Sequence, residues 1–271
     1  VLEGGAMRGI YTAGVLDVFL EAGIMPDVVV GVSAGALHGC SYVAGQKGRS
    51  IRYYRKYRSD KHFMGLYSLL TTGDVVGTKF CYEDIPLRLD PFNEAAFEKA
   101  PVDFYVTVTN VRTGKPEYIL CDELKVGSKM DVIRAGASMP LCSKMVEWNG
   151  NLYLDGGVSD SIPYAKMKDF GCRKSLVVLT QPAGYLKQPA AMAPFEAMYC
   201  KYPAFVEAMR GRDQMYNTEA AKQGDVFLIR PSKLLHVGRM EHDIEVLNAQ
   251  YELGRQDARN QMDAMREWIE R

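Results

Sequence analysis

Only four of the 271 residues are histidine, two are tryptophan, and the six cysteines include no C-x-x-C pair. Cys40, Cys81, Cys121, Cys142, Cys172 and Cys200 are dispersed, which argues against a zinc ribbon and a disulfide framework and suits a reducing compartment. An excess of either charge is also missing. Thirty-three basic residues balance 33 acidic ones, so net charge offers no electrostatic case for a nucleic-acid partner. No apolar run approaches the ~20 residues that span a bilayer. No signal peptide is read at the start, and no basic amphipathic helix stands out. The expected location is cytoplasmic, with membrane contact limited to the periphery. No internal repeat occurs, nor any linker long enough to separate domains. Residues 1–271 are therefore expected to form a single domain, and 47% hydrophobic residues suffice for a sizeable core.

What is present is a series of strand-turn-helix units. Val1-Leu2 reads as the end of a strand that runs into Glu3-Gly4-Gly5-Ala6-Met7-Arg8-Gly9. A helical pattern follows through Ile10, Val15, Leu16, Phe19 and Leu20, with Gly23 as its stop. Asp27 to Val32 is almost wholly apolar, as a parallel strand covered on both faces should be, and Ala34 to Ala44 is a second helix. Two such units in 45 residues predict an α/β sheet with crossover helices. Further strands are expected at 104–111, 117–121, 176–180 and 226–229, and a hairpin across 147–154 turning at Asn149-Gly150. Helices are expected at 130–137 and 164–170. A long one should cover Glu241 to Arg271 and pack on one face of the sheet.

Gly31-Val32-Ser33-Ala34-Gly35 joins the second strand to the second helix. A serine between two glycines at such a junction is the nucleophile-elbow arrangement, which lifts the hydroxyl from a sharp turn beside the positive end of a helix. The alternative is a glycine-rich turn that merely buries a serine. A nucleophile also needs oxyanion donors, a base and an apolar site. The loop Gly4 to Gly9 can supply donors, because Gly4, Gly5 and Ala6 let backbone N–H groups approach a substrate. As a phosphate cradle the same loop fails. Ile10-Tyr11 stands where a P-loop has Lys-Ser/Thr, and Ala6 breaks the dinucleotide fingerprint. Two readings of the base stay open from the residues alone. One is a histidine, with His236 or His242 (rather than His38 or His62) in the Ser…Asp…His order. The other is Asp155, which ends an apolar strand before Gly156-Gly157 and could equally be a turn aspartate.

Taken in order, three blocks resemble the patatin-like phospholipase family. Glu3-Gly4-Gly5-Ala6-Met7-Arg8-Gly9 is similar to its Asp-Gly-Gly-Gly-x-Arg-Gly oxyanion loop, Gly31–Gly35 to its elbow, and Asp155-Gly156-Gly157 to its Asp-Gly-Ala/Gly motif. The stretch from Arg134 to Pro140 is similar to the family's Ala-Ser-x-x-x-Pro block. The resemblance implies a three-layer α/β/α sandwich with a mostly parallel central sheet. It implies a serine lipid acyl hydrolase without metal or cofactor, whose substrate is a lipid or other acyl ester. Ser33 would be the nucleophile and Asp155 the base, with Gly4, Gly5 and Ala6 as oxyanion donors and Gly9, Gly31, Gly35, Gly156 and Gly157 as supports. Glu3 and Ala6 depart from the family pattern. An alanine forced to positive φ would be strained, and its donor role would then be in question. Arg8 reads as loop scaffolding paired with an acid, or as a headgroup contact. The alternatives are a catalytically silent lipid-binding protein and a His-dependent α/β-hydrolase. The segments 63–70 and 185–205, rich in Met, Leu and aromatics, are expected to supply a lid or acyl wall.

Overall fold

The computed structural model describes residues 1–221, 226–234 and 236–271. Its elements in chain order are α1 (Ile10–Glu21), β1 (Val28–Val32), α2 (Ala34–Val43), α3 (Arg49–Tyr57), α4 (Leu66–Thr72), a π-helical segment (Phe80–Leu89) and α5 (Glu94–Lys99). Then come β2 (Asp103–Asn110), β3 (Pro116–Leu120), α6 (Met130–Gly136), β4 (Val146–Trp148), β5 (Asn151–Asp155) and β6 (Ser175–Val178). The chain finishes with α7 (Ala193–Met198), α8 (Pro203–Ala221), β7 (Val226–Ile229), α9 (Ile244–Asn260) and α10 (Met262–Glu270).

β1 pairs in parallel with β2, and β6 with β7. Leu2 joins these pairs: its N–H donates to the Val30 carbonyl, and it bridges in parallel to both Gly31 and Val178. The result is a mostly parallel sheet with antiparallel strands β3, β4 and β5 at one end. Side chains alternate between two cores, as the period of two requires. Val29, Phe104, Val106 and Val108 pack with α1, α2 and α6. Val28, Val30, Tyr105 and Val177 face the other way, toward Ile162, Met167 and Tyr216 of α8. This is the expected three-layer α/β/α arrangement.

The β2 register has a direct consequence for the site. β1 pairs with residues 103–107 of β2, and β5 with residues 108–110. β3 overlaps both partners' stretches, so it occupies the opposite edge of β2. β1 and β5 therefore lie along one edge and abut end to end, Val32 opposite Thr107 and Asp155 opposite Val108. The residue after β1 and the last residue of β5 must meet.

Two helix expectations need correction. Residues 164–170 form only a 3₁₀ turn, Ala165–Lys168, because Pro163 and Gly171 (φ 78°) leave room for a single turn that sinks Met167 into the core. The C-terminal helix is two helices, broken at Gln261 (φ −102°, ψ 2°), and the break turns Met265 into full burial. α9 also packs chiefly on α1 rather than directly on the sheet. Tyr11 donates to Asp257 (3.0 Å) and Tyr251 to Asp17 (2.6 Å) across that contact. The hairpin turns as expected, with Asn149 (φ 47°) and Gly150 (φ 73°) both left-handed, the requirement of a type I′ turn. All six cysteines are free. Among the described residues no helix is long and apolar enough to cross a membrane.

Candidate active site

Ser33 is the turn between β1 and α2, at φ 53° and ψ −124°, a region non-glycine residues rarely enter. Such a conformation costs of order 1–3 kcal/mol and persists only where its surroundings enforce it. Three close backbone approaches do so. A Cβ at Gly35 would lie 2.3 Å from the Leu2 carbonyl oxygen, one at Gly31 2.5 Å from Ala36 Cα, and one at Gly4 2.6 Å from Ser33 Cβ. Gly9 is held in the same way, its hypothetical Cβ 2.6 Å from Ala34 Cβ.

The adjoining strand ends bring Asp155 to the serine. Ser33 and Asp155 line one cavity, where the serine hydroxyl favours the ionised carboxylate and Asp155 Oδ1 accepts the Gly157 N–H at 2.8 Å. The Asp155 backbone is pinned by its N–H donating to the Ser138 carbonyl and by Thr109 Oγ1 donating to its own carbonyl, both at 2.8 Å. Gly156 fits because Thr107 O would lie 2.2 Å from any Cβ there. Burial raises the Asp155 carboxyl above its ordinary 3.8. The hydroxyl, the nearby Arg212, the Gly157 amide and Lys187 oppose that rise without cancelling it.

The glycine loop lies across the serine. Glu3, the departure from the usual aspartate, accepts the Thr180 N–H at 2.5 Å, and Thr180 Oγ1 donates to the Gly4 carbonyl at 3.0 Å. The longer acid thus ties the loop to the chain leaving β6. Among the described residues, none of the Gly4, Gly5 and Ala6 amides donates to another backbone carbonyl. Ala6 adopts φ 51°, the strained alternative, next to an equally strained serine. Ala6→Gly should remove a left-handed penalty of about 1–2 kcal/mol and add unfolded-chain entropy worth somewhat less. A net stabilisation of about 0.5–1 kcal/mol in chemical denaturation is expected. A destabilised variant would show that the methyl group packs usefully.

Two cavities meet at Ser33. One, of about 100 Å³, is apolar and lined by Leu37, Tyr54, Phe63, Met64, Tyr82 and Ile133 among others. The other, of about 180 Å³, sets the charged groups of Asp155, Arg8, Lys187, Arg212 and Arg239 among apolar side chains such as Val158 and Phe195. Ala6 and Met139 border both. Of the expected wall segments, 63–70 reaches the apolar cavity only through Phe63 and Met64. Leu66 and Leu70 of α4 are exposed to solvent. The 185–205 segment contributes Lys187 and Phe195 to the second cavity.

No histidine lines either cavity among the described residues. His62 is held by Asp60, His236 and His242 are exposed, and His38 is buried with neither ring nitrogen bonded, its pKa lowered by desolvation to about 3. No group of three His, Cys, Asp or Glu is arranged to hold a metal among the described residues. The sequence gives no sign of Lys187, Arg212 and Arg239 as site residues. They come from separate stretches of the chain, and no local pattern marks them.

Residues 1–167 match the model of patatin-like phospholipases, and residues 202–270 match a domain of unknown function, DUF6363. An uncharacterized protein, YjjU of Escherichia coli K12, is 28% identical over 94% of this chain and 74% of its own length. Lysophospholipase nte1 of Aspergillus terreus is 29% identical over 63% of this chain, which spans only 11% of that protein. The crystal structure of VipD from Legionella pneumophila superposes with a TM-score of 0.51 at 15% identity, over 97% of this chain and 66% of that one. Elbow, glycine loop and terminal aspartate all fall inside the stretch that the first model matches, and the chain belongs to the patatin-like phospholipase family.

Proposed function

We propose that this chain hydrolyses the acyl esters of lipids, with Ser33 as nucleophile and Asp155 as the general base. The Ser33 oxygen attacks the ester carbonyl while Asp155 takes its proton. The tetrahedral oxyanion is held by the amides of Gly4, Gly5 and Ala6, each such donor being worth about 3–4 kcal/mol. Asp155 returns the proton to the departing alcohol, leaving an acyl-serine. Water then attacks the acyl-serine as Asp155 again accepts the proton, and the bond from the acyl carbon to Ser33 Oγ breaks as that proton passes to the serine oxygen, releasing the fatty acid and restoring the enzyme. A carboxylate at its ordinary pKa is a weak base for this task, and burial moves Asp155 in the useful direction.

The observation that carries the reading is that Ser33 stands where an apolar cavity meets a second one that also holds the Asp155 carboxylate and four basic side chains. An acyl chain suits the first, and the alcohol portion of the ester suits the second. The fungal relatives are named lysophospholipases, which agrees with a lipid ester as substrate. A fluorophosphonate probe should label Ser33, and Ser33→Ala should lose both the label and the hydrolysis of esters of graded chain length. A folded wild-type protein that takes no label and turns over none of the esters would make this a silent lipid-binding protein instead.

A further inference from the structure

We infer that α4 is a docking helix for an anionic bilayer, its leucines entering the lipid and the lysines around it meeting the headgroups. The inference goes beyond the hydrolase reading, which concerns the reaction at Ser33 and not the surface on which the chain rests.

α4 is built inside out. Leu66, Leu69 and Leu70 fall on one face, at helical spacings of three and four, and that face is turned to solvent. Leu66 is 69% exposed and Leu70 77%, whereas Ser68 is buried at 1%. A surface helix ordinarily sets its apolar stripe on the core and its polar residues outward. Here the reversal is locked in place. Ser68 Oγ donates to the Asp74 carbonyl at 2.8 Å, and Thr72 Oγ1 donates to the Ser68 carbonyl at 2.7 Å. Lys144 Nζ donates to the Thr72 carbonyl at 2.7 Å, and the Lys144 N–H to Asp74 Oδ1 at 2.6 Å. At the other end the Gly65 N–H donates to the Val75 carbonyl at 2.8 Å. The polar side chains thus bond back to the protein, and the leucines are held out in a fixed position.

The surroundings select the occupant. Lys61 Nζ lies 4.5 Å from the centre of the exposed Tyr67 ring, and Lys144 stands at the C-terminal end of the helix. Ring contacts extend this rim to α3. His62 meets Tyr67 and Phe80, Phe80 meets Tyr57, and Lys56 Nζ lies 5.1 Å from the centre of the Tyr57 ring. The two acids close by are engaged, Asp60 with the amide and ring of His62, and Asp74 with the Lys144 amide and the Thr78 hydroxyl. Leucines at the centre, a tyrosine at the boundary and lysines at the rim match the layers of a bilayer surface. A second copy of the chain fits less well. Four side chains on a seven-residue helix offer far less than the ~800 Å² that each partner of a stable pair contributes.

The place of α4 joins it to the site. Met64 and Val76 bridge each other where the chain leaves for α4 and returns, and both line the apolar cavity, as does Phe63. Cys142, whose carbonyl accepts the Val75 N–H at 2.8 Å, lines the second cavity. A bilayer held by α4 therefore lies next to the chamber that suits an acyl chain.

The test is co-sedimentation with vesicles of phosphatidylcholine alone and of phosphatidylcholine and phosphatidylglycerol in equal parts. The wild type should bind the mixed vesicles, and Leu66→Asn/Leu70→Asn should weaken that binding about tenfold or more. Lys56→Gln/Lys61→Gln, or added salt, should weaken it less steeply and only on the mixed vesicles. Because both leucines already face water, the leucine variant should keep the wild-type melting temperature and its turnover of a water-soluble short-chain ester, while losing turnover of an ester carried in the vesicles. No sedimentation of the wild type, or equal sedimentation of the leucine variant, would overturn the docking helix. Equal binding to both kinds of vesicle would overturn the anionic bilayer as its occupant. A wild type that is dimeric by light scattering, becomes monomeric in the leucine variant and ignores vesicles would assign α4 to a contact between copies instead. Sedimentation needs no turnover, so a failure of the hydrolase reading leaves this result decisive.

Discussion

Asp155→Asn is expected to lower ester hydrolysis about 10²–10⁴-fold while leaving the protein at least as stable at pH 7 as the parent. The two effects come from one cause. Burial lifts the carboxyl above 3.8, so the folded protein binds its proton more tightly than the unfolded chain does. For an acid shifted upward, stability falls as pH rises from the unfolded value to the folded one and stays reduced above it. At pH 7 the ionised side chain is therefore a net cost, which asparagine removes. Asparagine can still accept from the Gly157 amide, but it cannot take the serine proton. The same shift fixes the acid limb of the rate profile. Activity requires the carboxylate, so kcat/KM should fall as pH drops through a midpoint above 3.8. Ester kinetics and thermal denaturation across about pH 4–8 check both halves. A variant with wild-type rate, or an acid limb no higher than the ordinary carboxylate value, removes Asp155 from the base role. A clearly destabilised variant would show that the arginines beside it depend on its charge.

How far the sequence carries depends on the range of the interactions concerned. The elbow is legible because one short stretch carries its local signature, an apolar strand, two glycines around a serine and a small-residue helix, although Leu2 and Gly4 help to hold it. The hairpin is legible for the same reason, since Asn149-Gly150 alone satisfies two left-handed positions. Short apolar runs also mark most strands. The broken C-terminal helix is hidden because its periodicity continues through Gln261. Only the pull of the core on Met265 turns the chain there. The meeting of Ser33 with Asp155 is legible only as a resemblance. Its physical cause, two strands abutting on one edge of β2, is a matter of register that no window of sequence contains. The basic cavity lies further out of reach. Arg8 stands inside a recognisable motif, but Lys187, Arg212 and Arg239 join it through α8 and the loop before α9, and in sequence each of those three is one more surface-type cation.

Gly254→Ala should destabilise the protein by about 2–3 kcal/mol, against the direction that helix propensity alone dictates. Within a helix, glycine is worse than alanine by about 0.5–1 kcal/mol, so the exchange would ordinarily help. Here α9 crosses α1 at two glycines. A Cβ at Gly254 would lie 2.1 Å from the Tyr11 carbonyl oxygen, and one at Gly14 2.1 Å from that of Tyr251. Neither obstacle is a side chain that can swing away, so the helices must separate. Separation stretches the buried bonds that close the crossing, Tyr11 to Asp257 and Tyr251 to Asp17, and exposes polar groups that burial makes costly to leave unpaired. Gly211 in α8 is the control. A Cβ there meets nothing within 4 Å, so Gly211→Ala should show the propensity gain alone. Opposite signs for the two exchanges in urea denaturation are the expected result. If Gly254→Ala is neutral or stabilising, the crossing is looser than drawn. The effect should also reach the site, because α9 follows directly on the loop that Arg58 holds over Ser33 with Arg239 upon it. Displacing that helix should therefore lower ester turnover as well as stability, where Gly211→Ala leaves turnover unchanged.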